Sequence, residues 1–195
     1  MDAWGIPPLY LNDPHPHLFP HPTKFKEYIT RAGPGSEHKF KYLDVSSMAS
    51  TNITFITQVE SLSEDLVIKF VEQYSVKAHK LLAGKRMAPQ LLYCGLLDGE
   101  HNIRQDGSGA QGGIKSSDLY VDPVLMATMK HLEGHTVNKE PVLPKDTHEQ
   151  IKKAIKKLHT AGFVFWDLKA SSIMISGRKV FFIAFNRVGQ ERKGK

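Results

Sequence analysis

An α+β fold built on an antiparallel sheet is predicted by three features of the sequence. Ile53-Thr54-Phe55-Ile56-Thr57-Gln58-Val59 and Leu66-Val67-Ile68-Lys69-Phe70-Val71 are β-branched and aromatic runs joined by a polar segment, the pattern of a hairpin. Apolar residues then recur at helical spacing over 75–83, where Val76, His79, Leu82 and Ala83 share one side and Gly84 closes the turn. A second helical pattern over 147–160 is followed by two short strand patterns.

Three units are expected along the chain. Residues 1–50 carry Pro7, Pro8, Pro14, Pro16, Pro20, Pro22 and the Gly33-Pro34-Gly35 break, and read as an irregular extension. Its His15, His17 and His21 have no fourth ligand at a recognisable spacing and read as loop histidines. The second unit, 51–134, holds the hairpin, the helix, a strand over Pro89–Gly95, and an apolar run from Val124 that turns polar before Gly134. Within it, Asp106–Gly113 is glycine-rich. That piece follows the lysine-bearing strand and leads into Leu119-Tyr120-Val121, which suits a hairpin loop better than a phosphate cradle. The third unit, 135–195, opens with the Pro141–Pro144 linker. Thr147 is the expected N-cap of a helix running to Thr160, and Gly162 ends it. A loop containing Asp167, a strand over Ile173–Ile175, the turn Ser176-Gly177-Arg178 and a returning strand over Lys179–Phe185 complete it.

With 195 residues, 41% of them apolar and 24% charged, the composition is that of one ordinary globular domain. The single cysteine, Cys94, sits in an apolar run and permits no internal disulfide, which fits a reducing compartment. The N-terminus lacks the pattern of a leader, and nowhere do about 18 uninterrupted apolar residues occur. A cytoplasmic protein that neither spans nor enters a membrane is the expectation. The formal charge of +6 and pI near 9.3 suit an acidic partner. However, Lys152, Lys153, Lys156 and Lys157 fall opposite Ile151, Ala154, Ile155 and Leu158, as on a solvated helix face, and no RNP, zinc-finger or helix-turn-helix pattern accompanies them. Nucleic-acid binding is therefore not expected.

The stretch from Leu158 through Trp166-Asp167-Leu168-Lys169-Ala170-Ser171-Ser172 to Ile175 resembles the catalytic loop H-R-D-L-K-x-x-N of the protein-kinase-like superfamily. Val67-Ile68-Lys69-Phe70 is similar to the V-A-I-K strand of the same group, and Val180–Asn186 stands where a strand ends in D-F-G or D-F-D. The absence of a glycine between Asp44 and Thr51 places the resemblance nearer the fungal-type and aminoglycoside-phosphotransferase-like branch. Because the sequence stops at Lys195, the likeness covers a small lobe and hinge and only part of a large lobe.

What the resemblance implies is a two-lobed fold with Asp167 as the catalytic base and Lys169 beside it. Lys69 would face the nucleotide phosphates, and Met129, His131 and Leu132 would form the adenine-binding hinge. It also implies losses. Ser172 replaces the metal-binding asparagine, Ala184 replaces the metal-binding aspartate, and Asn186 is the one weak metal-ligand candidate left. No carboxylate is well placed to pair with Lys69, since Glu72 follows too closely and the helix offers His79. At most weak ATP binding follows, and a Mg²⁺ site is doubtful, because hard cations prefer carboxylates. Asp167, following Phe165 and Trp166, is expected to be partly desolvated, and Phe181, Phe182 and Phe185 to leave apolar surface open for a protein partner or self-association. The leading expectation is a pseudokinase. An active phosphotransferase using Lys69, Asp167 and Asn186, and a basic interaction module, are the alternatives.

Overall fold

The computed structural model describes residues 22–27, 35–49, 52–59, 61–62, 64–97, 124–140 and 142–190. Most of the first part is a six-stranded antiparallel sheet. Its strands are β1 (Lys24–Lys26), β2 (Glu37–Ala49), β3 (Asn52–Val59), β4 (Asp65–Val71), β5 (Leu91–Leu96) and β6 (Leu125–Lys130), in the order β1-β2-β3-β4-β6-β5. Helix α1 (Val76–Ala83) lies between β4 and β5 in sequence.

The second part is smaller and mixed. Helix α2 (Thr147–Thr160) packs beside the two-stranded β8 (Phe163–Phe165) and β11 (Val188–Gln190), and beside β10 (Lys179–Phe182). β10 pairs with β9 (Ile173–Ser176), which in turn pairs with the short β7 (His135–Thr136).

The expected irregular extension does not hold for 24–26 and 37–49, which are strands. The prolines that break structure lie at or before position 22 and at 34. From Glu37 onward the sequence alternates, burying His38 and Phe40 while Lys39 and Lys41 face water, and that pattern wins. His15, His17, His21, the glycine-rich Asp106–Gly113 and Leu119–Val121 lie outside the described residues.

Alternation on β4 positions the candidate site. Leu66, Ile68 and Phe70 point into an aromatic core with Phe25, Phe55 and Tyr93. Val67 and Lys69 therefore point to the opposite face, where Val67 packs with Met129, Ala127 and Val76 of α1. Behind that face, Ala78 and Leu82 of α1, Ala154 and Leu158 of α2, Phe163, Phe182 and Phe185 form one core. Phe182 and Phe185 are fully buried, which overturns the expectation of an open apolar surface there. Helix α2 covers them with the face opposite its lysines. Only Phe181 is half-buried.

Two boundaries also differ. Asp146 is the residue that caps α2, without a side-chain bond, and Thr147 is the first helical residue, its hydroxyl buried. β10 ends at Phe182 instead of Phe185, because the main chain of 183–187 is diverted to other partners.

Gly134 joins the two parts at φ 154°, with β7 drawn against β9. A Cβ there would lie 2.1 Å from the Ile175 carbonyl oxygen. Gly134→Ala is expected to cost about 1–3 kcal/mol through a strained backbone and a displaced β9. Urea unfolding of the variant would measure it, and an unchanged midpoint would show that the close approach does not matter.

Candidate functional site

The segment 182–187 is the centre of the site, and its main chain is tied on every side. The Phe182 N–H donates to Met87 O at 2.8 Å, and the Ile183 N–H to Ser172 O at 3.0 Å. The Ser75 N–H, at the start of α1, donates to Phe185 O at 3.0 Å, and the Trp166 N–H donates to Arg187 O at 2.9 Å. These bonds bring Ser172, Ala184 and the loop of Asp167 into one neighbourhood with Met87 and the start of α1.

Lys69 enters this arrangement from β4. Its Nζ donates to the main-chain carbonyl of Ile183 at 2.7 Å, the residue before Ala184. Burial of the ammonium lowers its pKa to about 8, although the residue keeps some exposed surface. Glu72 is exposed after the end of β4, and the lysine's hydrogen bond goes to a neutral carbonyl.

A depressed lysine pKa has a definite effect on stability. Below about pH 8 both folded and unfolded chains carry the proton, and the folded state bears the cost of a buried charge. Between about 8 and 10.5 the unfolded chain holds more protons, so this contribution to stability rises with pH. Lys69→Met is therefore expected to be more stable than wild type at pH 7, by roughly 1–2 kcal/mol after the lost bond to Ile183 O is discounted. The advantage should shrink as pH approaches 10. Urea titrations at pH 7 and 9.5 would test it, and a variant less stable at pH 7 would contradict the buried-charge argument.

His79 occupies the inward face of α1 and is fully buried. Pro89 O can only accept, so His79 Nε2 carries the proton and donates to it at 2.8 Å, while Nδ1 accepts from the Tyr74 hydroxyl at 2.7 Å. The imidazole stacks on Phe185 with ring centres 4.4 Å apart and planes 7° from parallel. Phe165 continues the aromatic series at 5.9 Å from Phe185. Thus α1, the 183–187 segment and the strand leading to Asp167 share one stack of rings.

Asp167 is not desolvated by its aromatic neighbours. Trp166 is 74% exposed, and the Asp167 side chain is 45% exposed, with its carboxylate 2.8 Å from Lys169 Nζ. Asn186 lies in the turn before β11. Ser172 supplies its main-chain oxygen to Ile183, and Ala184 has no donor atom on its side chain. Among the described residues no group of three or more His, Cys, Asp or Glu side chains comes together to hold a metal. Neither Ser172 nor Ala184 has a side-chain carboxylate, the donor that hard divalent cations prefer.

The expected hinge residues part company. Met129 is buried on the Lys69 face of the sheet. His131 and Leu132 instead line an open cleft of about 680 Å³ with Arg86, Gln90, Lys179 and Phe181, and neither Lys69 nor Asp167 borders it. The Ile183 carbonyl and the ring stack centred on Phe185 carried no sequence signal, since any residue can supply a main-chain oxygen.

No protein-family model and no curated protein matches this chain. Solved structures do match, among them the kinase PK-1 of the Cydia pomonella granulovirus, with a TM-score of 0.52 at 11% identity. The likeness covers 77% of this chain and 55% of that one, so the chain spans about half of the viral kinase's length. The fold is kinase-like. In kinase-like terms, the order of hairpin, helix, connecting segment and Asp167 loop read from the sequence is the order found here. At this level of identity the likeness speaks for the fold alone.

Proposed function

We propose that this chain is a pseudokinase: a kinase-like domain whose nucleotide cleft is vestigial and whose phosphotransfer machinery has been dismantled. One observation carries the reading. The Lys69 ammonium, which in a working site would be held for phosphate by a carboxylate, is satisfied by the Ile183 carbonyl, directly beside an alanine at the metal-ligand position. The Ile183 N–H bonds the Ser172 carbonyl, so the residue read as replacing the metal-binding asparagine lies near the one read as replacing the aspartate, which supports the reading. Positioning and charge neutralisation supply nearly all of the catalysis in phosphoryl transfer. A general base at Asp167 contributes on the order of 10²–10⁴ in rate and does not compensate.

Thermal-shift measurement with ATP, with and without magnesium, tests the proposal. A ligand present at its own dissociation constant raises the midpoint by only about 1–2 °C in a chain of this size, and weak, magnesium-independent binding should give no more than this at millimolar ATP. A shift of several degrees that needs magnesium, with ATP turnover lost in Asp167→Asn, would establish an active phosphotransferase instead.

A further inference from the structure

Helix α1 ends on a residue that its backbone does not favour. The Met87 N–H reaches back to Leu82 O and the Arg86 N–H to Ala83 O, both at 2.9 Å, the pair of bonds that closes a helix through one residue in the left-handed region. That residue is Arg86, at φ 58°, the one non-glycine with positive φ among the described residues. Glycine is the usual occupant, because a Cβ crowds the neighbouring carbonyl in this conformation. Strain of this kind gathers at binding sites, and Arg86 borders the cleft of about 680 Å³.

The cleft is lined by charges of both signs. The bond from the Phe182 N–H to Met87 O holds the Arg86 loop against β10, whose Lys179 and Phe181, two residues apart on one face of the strand, also line the cleft. Asp65 and Glu133 line it too, on segments joined by the bond from the His131 N–H to Asp65 O at 3.1 Å. Lys130 and Glu64 are paired with each other. Arg86, Lys179, Asp65 and Glu133 are exposed, and among the described residues none of these four side chains has an ion pair or hydrogen bond.

We propose that this cleft docks a peptide segment of a partner protein with an amphoteric sequence. An acidic side chain is received by Arg86 and Lys179, a basic one by Asp65 and Glu133, and apolar side chains between them rest on the half-buried Phe181 and Leu132. A ligand of one sign would satisfy two of the charges and meet repulsion from the other two. The cleft is open, which suits a chain that enters and leaves, whereas small molecules are held where most of their surface is buried. Neither Lys69 nor Asp167 borders it, so the site is independent of nucleotide binding.

The test is an amide NMR titration of the full chain with three end-blocked tetrapeptides: Asp-Leu-Leu-Lys, and the versions with asparagine for the aspartate or glutamine for the lysine. The amphoteric peptide should bind about tenfold more tightly than either, the effect of one charge-assisted hydrogen bond, and should shift the amides of Arg86, Gln90 and His131. Arg86→Gly separates binding from folding. Its urea midpoint should rise by about 0.3–0.5 M as the strain is relieved, while its affinity for Asp-Leu-Leu-Lys falls about tenfold. Asp65→Asn with Glu133→Gln should erase the preference for the lysine-bearing peptide and keep that for the aspartate. The proposal is overturned by no binding, by equal affinity for the three peptides, by shifts confined to other parts of the chain, or by undiminished binding in Arg86→Gly. A midpoint that does not rise in Arg86→Gly would remove the strain that singles out this residue and would equally count against it.

Discussion

Replacing Phe185 with alanine is expected to destabilise the protein by about 3–5 kcal/mol, a large share of the roughly 5–15 kcal/mol typical of a domain. The ring is fully buried and meets His79 face to face, Phe165 at 5.9 Å and Tyr74 at 6.1 Å. It sits in the same core as Leu82 of α1 and Leu158 of α2, so the cavity left behind would open between two helices and two strands. The same residue's carbonyl anchors the N-terminus of α1, and two residues earlier the chain holds Lys69. Loss of packing should therefore loosen the site as well as the core. Phe185→Leu keeps most of the volume and should cost less than about 1.5 kcal/mol with some repacking. Urea unfolding of the pair would decide, since a loss below 1 kcal/mol in the alanine variant would mean that the stack is dispensable.

The burial of Phe185 also shows where sequence reading succeeds and where it stops. Periodicity found β3, β4 and both helices because each presents a face of regular spacing, and it placed Lys69 and Asp167 in elements that the fold does bring together. It did not find β8, β11 or β7. Each has only two or three residues, too few for a period to show, and each exists because a distant partner strand completes it. Proline count hid β2, whose alternation starts just past the last break. The role of Ile183 was illegible for a different reason. Its contribution is a main-chain oxygen, and what aims that oxygen at Lys69 is the set of bonds from Met87, Ser172 and Ser75, none of which depends on a side chain. The apolar run Val180–Phe185 looked like one strand, whereas the chain leaves β10 after Phe182 and buries Phe185 against His79 of α1.

Acidification should reveal a second large effect, centred on His79. Burial lowers its pKa to about 4, its bond to Pro89 O opposes that shift, and the positive charges of Lys69 and Lys80 add to it. Between about pH 6.5 and 4 the unfolded chain binds a proton at this position that the folded chain refuses. Stability is therefore fully present above pH 6.5 and falls as the pH drops toward 4, by about 3 kcal/mol for a shift of this size. Carboxylates titrate in the same range, so the informative quantity is the difference between wild type and His79→Gln. Glutamine has a donor for Pro89 O and an acceptor for Tyr74 but takes up no proton. The variant should be less stable than wild type at pH 7, where the stack on Phe185 is lost, and should close the gap as pH falls. A difference that stays constant from pH 7 to pH 4 would mean that His79 accepts its proton without resistance. Lys69→Met supplies an independent check. With one positive charge gone, the His79 imidazole should titrate at a higher pH in an NMR experiment, which ties the buried histidine to the lysine.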